Sequence, residues 1–138
     1  MKDGTETGLK AREICDLSLT EVSAGIRGGA FGPVEVTEAV LARMTALEPG
    51  LTSYVTITAE RALQRAAQAE AELAAGLYRG PLHGVPVAVK DLCETSFAPT
   101  TGGMAIHKGN ETGRDSTVVT RLEQAGAVML GKLAMTEG

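Results

Sequence analysis

A chain of 138 residues, 43% hydrophobic and 22% charged, is long enough for one packed core and too short for two ordinary domains. A net charge of −4 at pH 7 argues against a nucleic-acid surface, and two cysteines are too few for a disulfide scaffold. No apolar run approaches the ~18 residues of a membrane span, and the polar opening MKDGTETGLKAREIC lacks a signal-peptide core, so a soluble, cytoplasmic protein is expected.

With no Trp, two Tyr and two Phe, alanine and small aliphatic residues must fill the core, which suits helices packed closely on a sheet. The first helix signal is Ser18 with Glu21, a capping box, flanked by Leu17 and Val22 as a hydrophobic staple. Leu19, Val22 and Ile26 give its buried stripe, and Gly28-Gly29 stops it. A second helix starts at Pro33 and buries Val36, Val40, Met44 and Leu47. Glu48-Pro49-Gly50 should end it. SYVTI, residues 53–57, reads as a short strand. Thr58 then caps an Ala-rich helix over 59–75, with Leu63, Ala66, Ala67, Leu73 and Ala74 inward and Gly76 as terminator.

Val85 to Val89 is a short apolar strand limited by Pro86, and it ends in Lys90. Residues 93–114 show no period, and loops of that length are usually functional or disordered. Asp115 or Ser116 caps the next helix, which turns Val118, Val119, Leu122 and Ala125 inward and closes at Gly126. Ala127 to Leu130 is a second apolar strand. The fold class is therefore α/β, with a βαβ unit at about 85–130, its strands parallel and its crossover right-handed. Ligands collect beyond the carboxyl ends of such strands. Lys90 stands at one of these ends, and Lys132 just past the other.

A lysine delivered by an apolar strand can be desolvated, which favours the neutral amine, a useful general base at a pKa of ~7–8. A strand-end lysine is also read as a salt-bridged or snorkelling surface group, and spacing alone does not choose between them. Gly126 to Lys132 matches GxxxxGK, but Leu133 stands where a phosphate-binding loop needs Ser or Thr, and the apolar middle belongs to a strand. His83, Cys93 and His107 match no zinc spacing. His83 reads as a loop residue bonded to backbone and Cys93 as a small buried thiol. No metal and no cofactor is expected. None of Ser18, Ser23, Ser53, Ser96 and Ser116 stands in a nucleophile motif.

GPLHGVPVAVKDL at 80–92, TTGG at 100–103, DSTVVTRLEQAGAVMLGK at 115–132 and MTEG at 135–138 resemble, in order and spacing, the amidase signature family. The helices from about residue 15 resemble that family's opening segment. The resemblance implies the N-terminal part of the amidase signature fold, a mixed β-sheet flanked by helices, with residues 1–138 as the N-terminal portion of a single amidase domain. It also implies hydrolysis of carbon–nitrogen amide bonds by a lysine, a bridging serine in a cis peptide and a nucleophilic serine. Lys90 matches the family lysine. It would take a proton through the bridging serine and return one to the leaving amine, and the apolar strand would desolvate it for that task.

The serine-bearing segment is expected downstream of MTEG, so this chain alone is expected to be inactive. Met135 and Glu137 match a segment near the substrate channel in the family's glutaminase members, and Thr100 and Thr101 match a loop near the lysine. Two alternatives stand beside the amidase. One is the glutaminase subunit of a tRNA-dependent amidotransferase, which carries an Asn-Met-Asp-Glu-Phe-like run where this chain has LAMTEG. The other is a non-catalytic piece completed by a partner chain. The partners implied are a small-molecule amide and a second copy or a complementing chain, with neither nucleic acid nor membrane directly bound.

Overall fold

The computed structural model describes residues 11–136. Three helices come first: α1 (Ala11–Cys15), α2 (Leu19–Gly28) and α3 (Pro33–Leu51). Strand β1 (Tyr54–Ile57) and helix α4 (Ala59–Ala74) follow. Then come β2 (Pro86–Lys90), a 3-10 turn (Ala105–His107), α5 (Thr117–Gln124) and β3 (Val128–Leu133). The strands form one mixed sheet in the order β1-β3-β2, with β3 parallel to β2 and antiparallel to β1. The parallel pair joined through α5 is the βαβ unit expected from the sequence. Among the described residues no helix is long and apolar enough to cross a membrane.

The start of α2 is chemically explicit. The Ser18 hydroxyl accepts from the Glu21 amide at 3.2 Å, and the Glu21 carboxylate accepts from the Ser18 amide at 2.7 Å. Two orphan donors are thereby satisfied, and Gly29 ends the helix in the left-handed conformation at φ 75°. Val22 and Ile26 are buried as expected, but Leu19, the first residue of the helix, lies on the solvent side and is 52% exposed. Helix α3 does not stop at Glu48-Pro49-Gly50. It runs through Pro49 to Leu51 and ends at Thr52, whose amide donates to the Glu48 carbonyl at 2.8 Å. The proline removes one helical donor, but on an exposed last turn water can serve the freed carbonyl.

The buried face of α4 is Ala62, Ala66 and Ala69, at spacing i, i+4, i+7. Ala67 and Ala74, expected inward, are exposed; an alanine run offers several equivalent stripes and the sequence does not mark which one the sheet will cover. Leu47 and Val118, also expected inward, are 50% and 56% exposed. Thr58 and Ser116 occupy N-cap positions without a side-chain capping bond. Gly76 and Gly126 follow the ends of α4 and α5 with φ of 84° and 83°.

Val128 and Leu130 of β3 pack with Ala62 and Ala66 of α4 and with Val34, Val40, Leu41 and Met44 of α3. On the opposite pleat, Met129 packs with Val89 of β2, Val119 of α5, and Cys93 and Phe97 of the loop that follows β2. Helices α3 and α4 thus cover one face, and α5 with the long loop covers the other. Arg61 and Arg65 of α4 both reach Glu123 of α5, at 2.6 and 2.8 Å, and tie the two layers together.

Candidate active site

Because β2 and β3 run parallel, their carboxyl ends meet at one edge of the sheet. Lys90 is the last residue of β2 and pairs in register with Leu133, the last residue of β3. The next amide, Asp91, continues the ladder by donating to the Leu133 carbonyl at 2.9 Å. The strand therefore delivers Lys90 to this edge as the sequence implies. The desolvation expected of it is not supplied by these residues. Lys90 is exposed, and its ammonium makes no hydrogen bond or ion pair among the described residues. The physical reason is the pleat: Val89 turns into the core on the α5 side, so Lys90 points to the other face, beyond the cover of α3.

Sequence reasoning passed over the buried group beside it. Asp91 and Lys132 are both fully buried, with the Lys132 Nζ 3.2 Å from Asp91 Oδ1. That contact is an ion pair whose alignment falls short of a hydrogen bond, so Oδ1 is held by charge alone. Nζ donates to the Thr100 hydroxyl at 2.8 Å and to the Pro99 carbonyl at 3.1 Å. Asp91 Oδ2 accepts from the Thr101 amide at 3.2 Å and from the Thr101 hydroxyl. The Asp91 carbonyl accepts from Gly102 N–H at 2.9 Å. Buried charges persist only when paired and hydrogen-bonded, and this pair meets that condition.

A β-bulge brings Lys132 into the network. Val87 pairs with Met129 and Val89 with Lys132, so β3 advances three residues while β2 advances two. Strict alternation from Val128 and Leu130 would send Lys132 toward α3 and α4. The extra residue moves it to the Met129 face, under the loop that carries Pro99 and Thr100. Gly131 sits in the bulge against β1, where a Cβ would lie 2.1 Å from the Thr56 carbonyl oxygen. Lys132 is thus part of β3 and buried, not past its end. The Gly126–Lys132 run is strand in its second half, and Lys132 is committed to Asp91.

Thr100 and Thr101 are drawn into the network, and Gly103 brings the turn onto the last described segment. A Cβ at Gly103 would lie 2.9 Å from the Met135 carbonyl oxygen and 3.0 Å from that of Thr136. Met135 is therefore at the same edge as Lys90, through its backbone. Glu137 lies outside the described residues. Elsewhere, His83 is buried and accepts the Arg79 amide at Nδ1 (3.1 Å), so Nε2 carries the proton donated to Glu72 at 2.8 Å. Hydrogen bonds from Arg79, Gln68 and His83 hold the Glu72 carboxyl down at about 2. A hollow of about 300 Å³ lies between α4 and α5, lined by Arg65, Glu72, Arg79 and Glu123. It does not include Lys90, and within it Arg65 is paired with Glu123 and Arg79 with Glu72.

Fold and site together define an α/β unit that presents an unpartnered lysine at the carboxyl edge of its parallel strands, beside a buried ion pair. The family described as Amidase matches residues 35–138. An amidase-like protein, AmiD of Mycobacterium tuberculosis, is 50% identical over 125 residues, covering 91% of this chain and 26% of that protein. The A component of the glutamyl-tRNA(Gln) amidotransferase of Anaeromyxobacter dehalogenans is 46% identical over 127 residues, covering 92% and 26%. The solved peptide amidase from Stenotrophomonas maltophilia superposes with a TM-score of 0.83 at 32% identity, over 88% of this chain and 25% of that one. The chain belongs to the amidase family. It spans about a quarter of the length of the curated relatives it matches.

Proposed function

We propose that the protein to which this chain belongs hydrolyses amide bonds, with Lys90 as the group that moves the proton. The observation that carries this reading is the delivery of an unpaired lysine to the edge where β2 and β3 end, in a chain of the amidase family. A nucleophilic serine and a bridging serine would come from outside residues 11–136, in a single domain of which this chain is the N-terminal portion. Lys90, as the neutral amine, takes the nucleophile's proton through the bridging serine while the serine oxygen attacks the carbonyl carbon. The carbon–nitrogen bond breaks, Lys90 returns the proton to the departing amine, and water then hydrolyses the acyl ester. The cover over this lysine would also come from outside these residues. Met135, whose backbone lies at this edge, and Glu137, two residues on in the sequence, would contribute to the wall of the substrate channel.

The assay is amine or ammonia release from simple carboxamides by the full-length protein and by Lys90→Ala. Loss of turnover supports the reading, and full retention removes it. A second reading, the glutaminase subunit of a tRNA-dependent amidotransferase, is favoured by the 46% identity to a component of such an enzyme. Ammonia release from glutamine only in the presence of partner subunits would select it, and hydrolysis of simple amides by the protein alone would remove it.

A further inference from the structure

We propose that Asp91 and Lys132 are positioning residues: their buried ion pair locks the Lys90 backbone and the Thr101–Gly103 turn into one rigid wall of the active site. The inference rests on the amidase reading only in naming what is positioned. A lysine with a long side chain and no side-chain partner is anchored by its backbone alone, and here the anchor is the residue after it. Asp91 holds β3 through its amide, Gly102 through its carbonyl, and Thr101 and Lys132 through its carboxylate. Lys132 draws in Pro99 and Thr100, and Thr100 is itself tied to Asn110 by a bond in each direction, at 3.0 and 3.1 Å. A loop with no regular structure from 91 to 104 is thereby fixed at its functional end by two side chains.

Stability does not account for the pair. Withdrawing two charges from water costs several kcal/mol each, and apolar residues of similar volume often stabilise as well or better. What an ion pair adds is direction: the ammonium and the carboxylate together specify where the Pro99 carbonyl, the Thr100 hydroxyl, and the Thr101 amide and hydroxyl must lie. The pair sits at the one edge where placement matters to the chemistry, and an error of about 1 Å there can cost about a hundredfold in rate.

The test uses the full-length protein and the double variant Asp91→Asn/Lys132→Met, which removes both charges and leaves neither uncompensated. Thermal unfolding, hydrogen exchange of the Thr101 and Gly102 amides, and kcat and KM for amide hydrolysis are measured together. The expected result is cooperative unfolding, exchange at both amides at least tenfold faster, kcat lower by about ten- to a hundredfold, and KM within about twofold. A merely structural pair would move the unfolding temperature without this kcat-against-KM split. A folded double variant with unchanged exchange or unchanged kcat overturns the proposal. Should it fail to fold, Thr101→Val decides: it removes only the hydroxyl between Asp91 and Gly103, and must still accelerate Gly103 exchange and lower kcat, or the proposal falls. If the wild-type protein hydrolyses no amide, or Lys90→Ala keeps its activity, the amidase reading fails instead. The exchange rates alone then judge the pair.

Discussion

Gly131→Ala is the perturbation that most directly probes how Lys132 is aimed. A Cβ at this position lies 2.1 Å from the Thr56 carbonyl oxygen and 3.1 Å from the Ile57 Cα, both backbone atoms of β1. No side-chain rotation can relieve it. Ordinary contact needs roughly 3.2 Å or more, so β1 and β3 must part by about 1 Å. Bonds now at 2.9 Å (Thr58 N–H to Leu130 carbonyl) and 2.8 Å (Ala134 N–H to Ser53 carbonyl) would stretch toward 4 Å and be lost. At about 1 kcal/mol each, plus loosened packing of Leu130 on α4, the cost is about 2–4 kcal/mol. Urea unfolding of the full-length protein reads this, with Gly28→Ala as control. Gly28 ends α2 with nothing within 4 Å of its would-be Cβ, so alanine there should be neutral or stabilise by up to about 1 kcal/mol. Gly131→Ala within about 0.5 kcal/mol of wild type would refute the bulge as the device that turns Lys132 under the loop.

Three further outcomes are expected. Ala66→Leu, at a fully buried position against Val128 and Leu130, should cost about 1–3 kcal/mol, whereas Ala67→Leu on the exposed side should stay within about 0.5 kcal/mol by the same unfolding assay. Glu72 is held at about 2 in the folded state against an ordinary 4.5, so its contribution is fully present above 4.5 and is lost as pH falls toward 2. Glu72→Gln should therefore cost on the order of 1 kcal/mol at pH 6 and progressively less as pH falls from 4.5 through about 2, compared by acid titration of stability. Lys132→Met alone leaves Asp91 buried without a counter-charge and should destabilise by about 3–5 kcal/mol, with the double variant carrying Asp91→Asn recovering much of that loss in a double-mutant cycle.

Local rules were readable wherever one residue decides the outcome. The Ser18–Glu21 capping box, Pro33 at a helix start, the β-branched run to Ile57 and the apolar run before Lys90 all lie in the structure where the sequence puts them. Legibility failed where the deciding partner is remote. The choice between Ala62–Ala66–Ala69 and Ala66–Ala67–Ala74 is made by β3, more than fifty residues away. The Asp91–Lys132 pair hangs on a bulge, and period-2 alternation cannot reveal a skipped register; the one available signal was an acid directly after a buried strand, which must find a cation. The delivery of Lys90 to the carboxyl edge of the parallel strands was legible in the sequence, but its exposure was not, because cover depends on what stands beyond α3.

The measurement that bears most directly on the central claim is kcat/KM of the full-length protein on a simple carboxamide, for wild type against Lys90→Ala and Lys90→Arg. A loss of at least about a thousandfold is expected for alanine, with no recovery for arginine, which keeps the charge and cannot act as a neutral base. Turnover within about tenfold of wild type in either variant would contradict it.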